Sequence, residues 1–117
     1  MYFHIFAFRW KPEATDALKA QAVKAILAFE GNIPGLIDVH VGKNDSPRGQ
    51  GYTFVGAMRF TDYDACCAYG IHPTHLALLE WLVPLIDPVE LDFAPIKPIP
   101  SNSDDTDLGL LMVIGLL

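Results

Sequence analysis

Two hydrophobic periods alternate along residues 2–93, and their order leaves few folds open. From Tyr2 to Trp10 almost every position is apolar: Tyr2, Phe6, Phe8 and Trp10 fall on one side, with His4 among them, and Phe3, Ile5 and Ala7 on the other. A strand that is apolar on both faces expects both to be covered. Lys11-Pro12-Glu13 breaks it. Thr15 or Asp16 can cap a helix whose Leu18, Ala22, Ala25, Ile26 and Phe29 recur at helical spacing, with Gly31 as its stop. The period then returns to two. Leu36–Val41 places Ile37, Val39 and Val41 opposite Asp38 and His40. After the turn-rich loop 43–51, Tyr52–Phe60 places Tyr52, Phe54, Met58 and Phe60 opposite Val55 and Ala57. Thr61-Asp62 starts a second helix running to about Tyr69, interrupted at Gly70 and resumed from Pro73 to Val83, with proline at its favoured first position. Ile86–Phe93 is a last strand, with Val89, Leu91 and Phe93 against Glu90 and Asp92. The order β-α-β-β-α-β predicts an α+β domain of the ferredoxin-like kind, one antiparallel sheet with both helices on one face.

That arrangement leaves the other face of the sheet bare. Its residues include Phe3, Ile5, Ala7, Val55 and Ala57, and an apolar sheet face in water is costly. Hydrophobic residues make up 51% of the chain and charged ones 19%, a surplus for a small monomer. The simplest cover is the same face of a second copy, so the sequence predicts a homodimer in the form of a dimeric α+β barrel. The formal net charge of −6 speaks against nucleic acid and anionic membrane as partners. Cys66 and Cys67 are adjacent, a poor spacing for a mutual disulfide, and read as reduced thiols on a helix. With no basic leader at Met1, the expected compartment is the cytoplasm. Residues 1–97 read as the domain and 98–117 as an extension. In that extension a polar, acidic stretch from Ser101 to Asp107 precedes the apolar Leu108–Leu117, ten residues long and too short to span a bilayer. It is expected to pack on its own barrel or a neighbour's.

The residues able to carry chemistry gather around the helix break, Tyr69-Gly70-Ile71-His72-Pro73-Thr74-His75. His75 falls in the first turn after Pro73, where the helix dipole disfavours imidazolium, and a neutral ring can act as a general base. Tyr69 can donate to an oxygen. His4 shares its face with Phe6 and Phe8 and is expected to point into the same cavity. Asp92 is placed to orient a histidine, His72 to hold the turn, and His40 to lie on the surface or an interface. The aromatic stripe Phe6, Phe8, Phe54 and Trp81 reads as core, and as pocket lining where a cavity exists. Bland alternatives stand beside each: a histidine next to a helix-starting proline caps the helix, and a tyrosine at a helix end anchors packing. His72 and His75 are three apart, but Pro73 distorts the turn and no third ligand is near, so no metal is expected. There is no phosphate loop, dinucleotide fingerprint, nucleophile elbow or C-x-x-C, and no cofactor is called for.

Taken together, F-H-I-F-A-F-R-W (Phe3–Trp10), I-P-G-L (Ile33–Leu36), V-G-K-N (Val41–Asn44), G-Y-T-F (Gly51–Phe54), A-Y-G-I-H-P-T-H (Ala68–His75) and L-D-F-A (Leu91–Ala94) resemble the stress-responsive A/B barrel (Dabb) family over residues 1–94. The resemblance implies a dimeric α+β barrel. It does not imply one function, because the family holds plant stress-stable proteins as well as a cyclase that closes a linear polyketide by aldol condensation. In that cyclase a tyrosine and the second histidine of Y-x-x-H-P-x-H act on the substrate, and they match Tyr69 and His75. Its first-strand histidine matches His4 and its last-strand aspartate matches Asp92. Phe54 stands where it has a histidine. The expectation is therefore a small apolar ligand bound between sheet and helices. If there is a reaction, it is cofactor-independent acid–base cyclase or lyase chemistry with His75, Tyr69 and His4. The alternatives are a non-catalytic stress-related structural protein and a cofactor-free monooxygenase.

Overall fold

The computed structural model describes residues 1–97, and the expectations for the extension from residue 98 onward lie outside them. The elements run β1 (Tyr2–Trp10), α1 (Asp16–Leu27), β2 (Leu36–Lys43), β3 (Phe54–Phe60), α2 (Tyr63–Gly70), α3 (Pro73–Leu82), a 3₁₀ turn (Val83–Leu85) and β4 (Ile86–Phe93). The strands form one antiparallel sheet in the order β2-β3-β1-β4. This is the ferredoxin-like α+β fold, with the second helix split in two. No helix among the described residues is long and apolar enough to cross a membrane.

Local signals explain most boundaries. The Thr15 hydroxyl accepts from the Leu18 N–H at 3.2 Å and starts α1. The Asp62 carboxylate does the same for α2, accepting from Ala65 at 2.8 Å. α1 ends sooner than Gly31: past Leu27 the chain tightens, with Phe29 N–H donating to Ile26, and Gly31 turns it at φ +83°. Phe29 nevertheless remains in the core.

One parity expectation fails. Ile37 does not join Val39 and Val41 on the helix side; it is 42% exposed. The ladder between β2 and β3 shifts register between Leu36 and Asp38, so Leu36 pairs with Phe60 and Asp38 with Arg59. The bulge inserts one residue, hands the inner position to Leu36 and turns Ile37 outward. Asp38 and Arg59, now neighbours on the outer face, form a bidentate pair with Nε–Oδ1 at 2.8 Å.

The core lies between the sheet's inner face and the helices. From β1 it takes Phe6 and Phe8, from β3 Phe54, Met58 and Phe60, from α1 Ala22 and Ile26, from α3 Leu78 and Leu82. At its centre the outer end of the Phe6 ring lies against Gly56, its cross-strand partner. A Cβ on Gly56 would come within 2.0 Å of that ring. A Gly56→Ala substitution must therefore displace Phe6 or part the strands. The expected cost is about 1–3 kcal/mol, a fall of roughly 5–20 °C in the thermal midpoint for a domain of this size. Calorimetry or a circular-dichroism melt checks it; an unchanged midpoint would mean that the Phe6 ring does not sit over Gly56.

Candidate functional site

The cavity follows from which side chains the inner face carries. On β1, His4, Phe6 and Phe8 point inward, and on β4 the same parity brings Glu90 opposite Phe6 and Asp92 opposite His4. Above them α2 ends at Gly70 and α3 begins at Pro73. Between α3 and the β1–β4 side of the sheet lies a pocket of about 230 Å³ with apolar walls from Phe6, Phe8, Ile26, Leu78 and Leu82, and polar groups from His4, Tyr69, His75 and Glu90.

The helix break positions the polar groups. The His72 ring caps α3, its Nδ1 accepting from the Thr74 N–H at 3.2 Å. His75, one turn on, donates from Nδ1 to the Gly70 carbonyl at 3.1 Å. A carbonyl can only accept, so Nδ1 carries the proton and Nε2 keeps a lone pair. The Tyr69 and His75 rings stack, their centroids 4.1 Å apart. Burial lowers the His75 pKa below the ordinary imidazole value; the Gly70 carbonyl opposes this shift and His4 adds to it. Desolvation, rather than the helix dipole, is the main cause of the neutral ring. Burial likewise raises the Tyr69 phenol above its ordinary value, with Glu90 and Cys66 adding to the effect. Tyr69 therefore keeps its proton and is a donor. His4 is buried, and its Nδ1 donates to the Asp92 carboxylate at 2.5 Å. Its ring centroid lies 5.9 Å from that of Tyr69.

The structure thus gathers Tyr69, His75, His4, Phe6 and Phe8 around one cavity, with Asp92 behind His4. Phe54 lies elsewhere: it stacks on Phe8 and lines, with Trp10 and Lys19, an open groove further along the sheet. Trp81 packs against the core rather than the cavity. His72 holds the turn, and His40 is exposed beside Asp38. Glu90 was missed, although it shares strand parity with Asp92; that signal would have found it.

Residues 3–94 match the model of the stress responsive A/B barrel domain. Olivetolic acid cyclase from Cannabis sativa is 29% identical over 75 residues, which cover 62% of this chain and 74% of the cyclase. A dimeric ferredoxin-like protein from Thermobifida fusca is 28% identical, with a TM-score of 0.70 over 80% of this chain and 90% of its own. A protein from Arabidopsis thaliana shares the fold at 20% identity, with a TM-score of 0.76 over 86% of this chain and all of its own.

The His75 geometry makes a solution prediction. ¹⁵N spectra of the imidazole should show the Nδ1–H tautomer and a titration midpoint below 6.5. Between that midpoint and 6.5 the unfolded chain binds more protons than the folded one. Stability is therefore full above 6.5 and falls as the pH drops through the folded value. His75→Gln should flatten that part of the stability profile; an unchanged slope would contradict the burial of this ring.

Proposed function

The chain belongs to the stress-responsive A/B barrel family, and from that premise we propose that it binds a small, largely apolar carbonyl compound and acts on it by cofactor-independent acid–base chemistry. The observation that carries this reading is the stacked Tyr69–His75 pair at the cavity wall, with Nδ1 of His75 committed to the Gly70 carbonyl. The Nε2 lone pair is then the group left to take a proton. Similarity to olivetolic acid cyclase supports an aldol-type cyclisation of a polyketide-like chain.

The steps balance without an external reagent. Nε2 of His75 removes a proton from the carbon next to a carbonyl. The electron pair moves onto the carbonyl oxygen, and the Tyr69 hydroxyl donates a hydrogen bond to the developing enolate. The enolate carbon attacks a second carbonyl of the same molecule, forming a carbon–carbon bond and an alkoxide. His75 returns the proton to that alkoxide. His4, held by Asp92, positions the substrate, and the walls of Phe6, Phe8 and Leu78 exclude water. The groups facing His75 are His4 from β1, Tyr69 from α2 and Glu90 from β4. Activity should rise with pH through the lowered His75 value.

The test is deuterium exchange from solvent into the α-position of a medium-chain methyl ketone. Wild type should exceed the buffer rate. His75→Gln should lose about 10²–10⁴-fold, the usual worth of a general base, and Tyr69→Phe should lose much of the same enhancement. Exchange equal to buffer in wild type, or unaltered in His75→Gln, would refute this reading.

A second reading has its own observation. Both histidines of the break bond to local backbone, His72 to Thr74 N–H and His75 to the Gly70 carbonyl. The motif then braces the split helix and the protein is structural. A large stability loss in His75→Gln, alongside buffer-level exchange in wild type, would favour it.

We also read the protein as a homodimer. On the outer face Ile5 and Ala7 of β1 pair with Ala57 and Val55 of β3, Phe3 pairs with Arg59, and on the other side Phe3, Ile5 and Ala7 pair with Phe93, Leu91 and Val89 of β4. Leu91 is 60% exposed and Phe93 48%, a contiguous apolar face of the kind that marks an interface. The Thermobifida fusca relative, described as dimeric, supports the same assembly. Leu91→Arg should shift the mass in light scattering from dimer to monomer; a wild-type monomer would defeat the assignment.

A further inference from the structure

Cys66 takes no part in the reading above, yet its position is unusual. It lies on the inner side of α2, half-buried, while its neighbour Cys67 is exposed. One ligand atom each of Cys66, His4 and Asp92 lie within 4.8 Å of one another. The three side chains arrive from α2, β1 and β4, and the pairing of His4 with Asp92 across the β1–β4 ladder fixes two of them in register. Nitrogen, sulfur and oxygen donors together make a borderline set, the kind that suits a four-coordinate divalent ion. His4 is buried, but the Asp92 side chain is 42% exposed, so the cluster opens to water on one side.

We propose that His4, Cys66 and Asp92 form a binding site for a divalent cation of the zinc class, with a fourth position open to solvent.

Bond lengths of about 2.0–2.3 Å to such an ion set ligand separations of about 3.3–3.8 Å in a tetrahedron. The three ligand atoms lie within 4.8 Å of one another, and the His4–Asp92 contact of 2.5 Å must widen, which rotation of the partly exposed carboxylate allows. The His4 proton passes from the nitrogen that binds to the other ring nitrogen, and the one proton lost to solvent is that of the Cys66 thiol. Glu90, whose charge reaches Cys66, adds to the negative field that favours a cation. The site adjoins the cavity, but its assignment does not depend on acid–base turnover there.

The test is a titration of the full chain, reduced by a phosphine and stripped of metal, with cobalt(II). A near-ultraviolet thiolate-to-cobalt band and the strong visible bands of four-coordinate cobalt should grow to one equivalent and vanish on adding zinc. Cys66→Ser should remove the thiolate band. Asp92→Asn should weaken binding at least about tenfold, a loss that even an outer-shell partner of a metal site costs. Cys67→Ser should leave both intact. A weak six-coordinate spectrum in wild type, a thiolate band that survives Cys66→Ser, or one that disappears in Cys67→Ser would each overturn the proposal. Should Cys66→Ser fail to fold, zinc added to ¹⁵N-labelled wild type decides: one equivalent should move the His4 ring and the Cys66 and Asp92 amides, and their failure to move would refute the site.

Discussion

Everything in this domain hangs on β1, one of the two central strands, hydrogen-bonded to β3 on one side and β4 on the other. Because side chains alternate across a strand, its nine residues are divided between two jobs. His4, Phe6 and Phe8 face the helices and supply one histidine and two walls of the cavity. Phe3, Ile5 and Ala7 face away and form the middle row of the bare apolar surface. A register slip of one residue would exchange the two sets and lose cavity and outer face together. The close seat of the Phe6 ring on Gly56 holds that register.

The second constraint is the broken helix. A continuous helix from Tyr63 to Leu82 would satisfy its own carbonyls. Gly70 and Pro73 prevent this, freeing the Gly70 carbonyl to accept from His75 and the Thr74 N–H to be capped by His72. The same break that costs a turn of hydrogen bonding fixes a histidine tautomer and stacks Tyr69 on it. Burial then acts on the two groups in complementary directions: it keeps the imidazole neutral and the phenol protonated. Desolvation is the leading cause of both shifts and leaves a neutral imidazole beside a protonated phenol.

Much of this was legible in the residues. The alternation of periods gave the element order, the caps at Thr15 and Asp62 marked helix starts, and the histidine–proline–histidine spacing marked the helix break. Parity also placed Asp92 on the side of His4. What escaped reading was position along an axis. Phe54 has the strand parity of aromatic lining, yet it lies too far along the sheet, and Trp81 on α3 packs against the core instead. Ile37 escaped because a bulge adds one residue and parity cannot count it.

The sequence by itself therefore determined the elements, the faces of each strand, the helix break and the residue types around it, since all of these depend on neighbours within a few positions. Only the tertiary structure decided which distant residues meet. It joined His4 to Asp92 across a separation of 88 residues, set Cys66 against both, put Glu90 at the cavity wall and gave desolvation the leading part in the His75 shift. The physical reason is that periodicity tells which way a side chain points. What it points at depends on strand order and helix placement, which are fixed by packing of the whole chain.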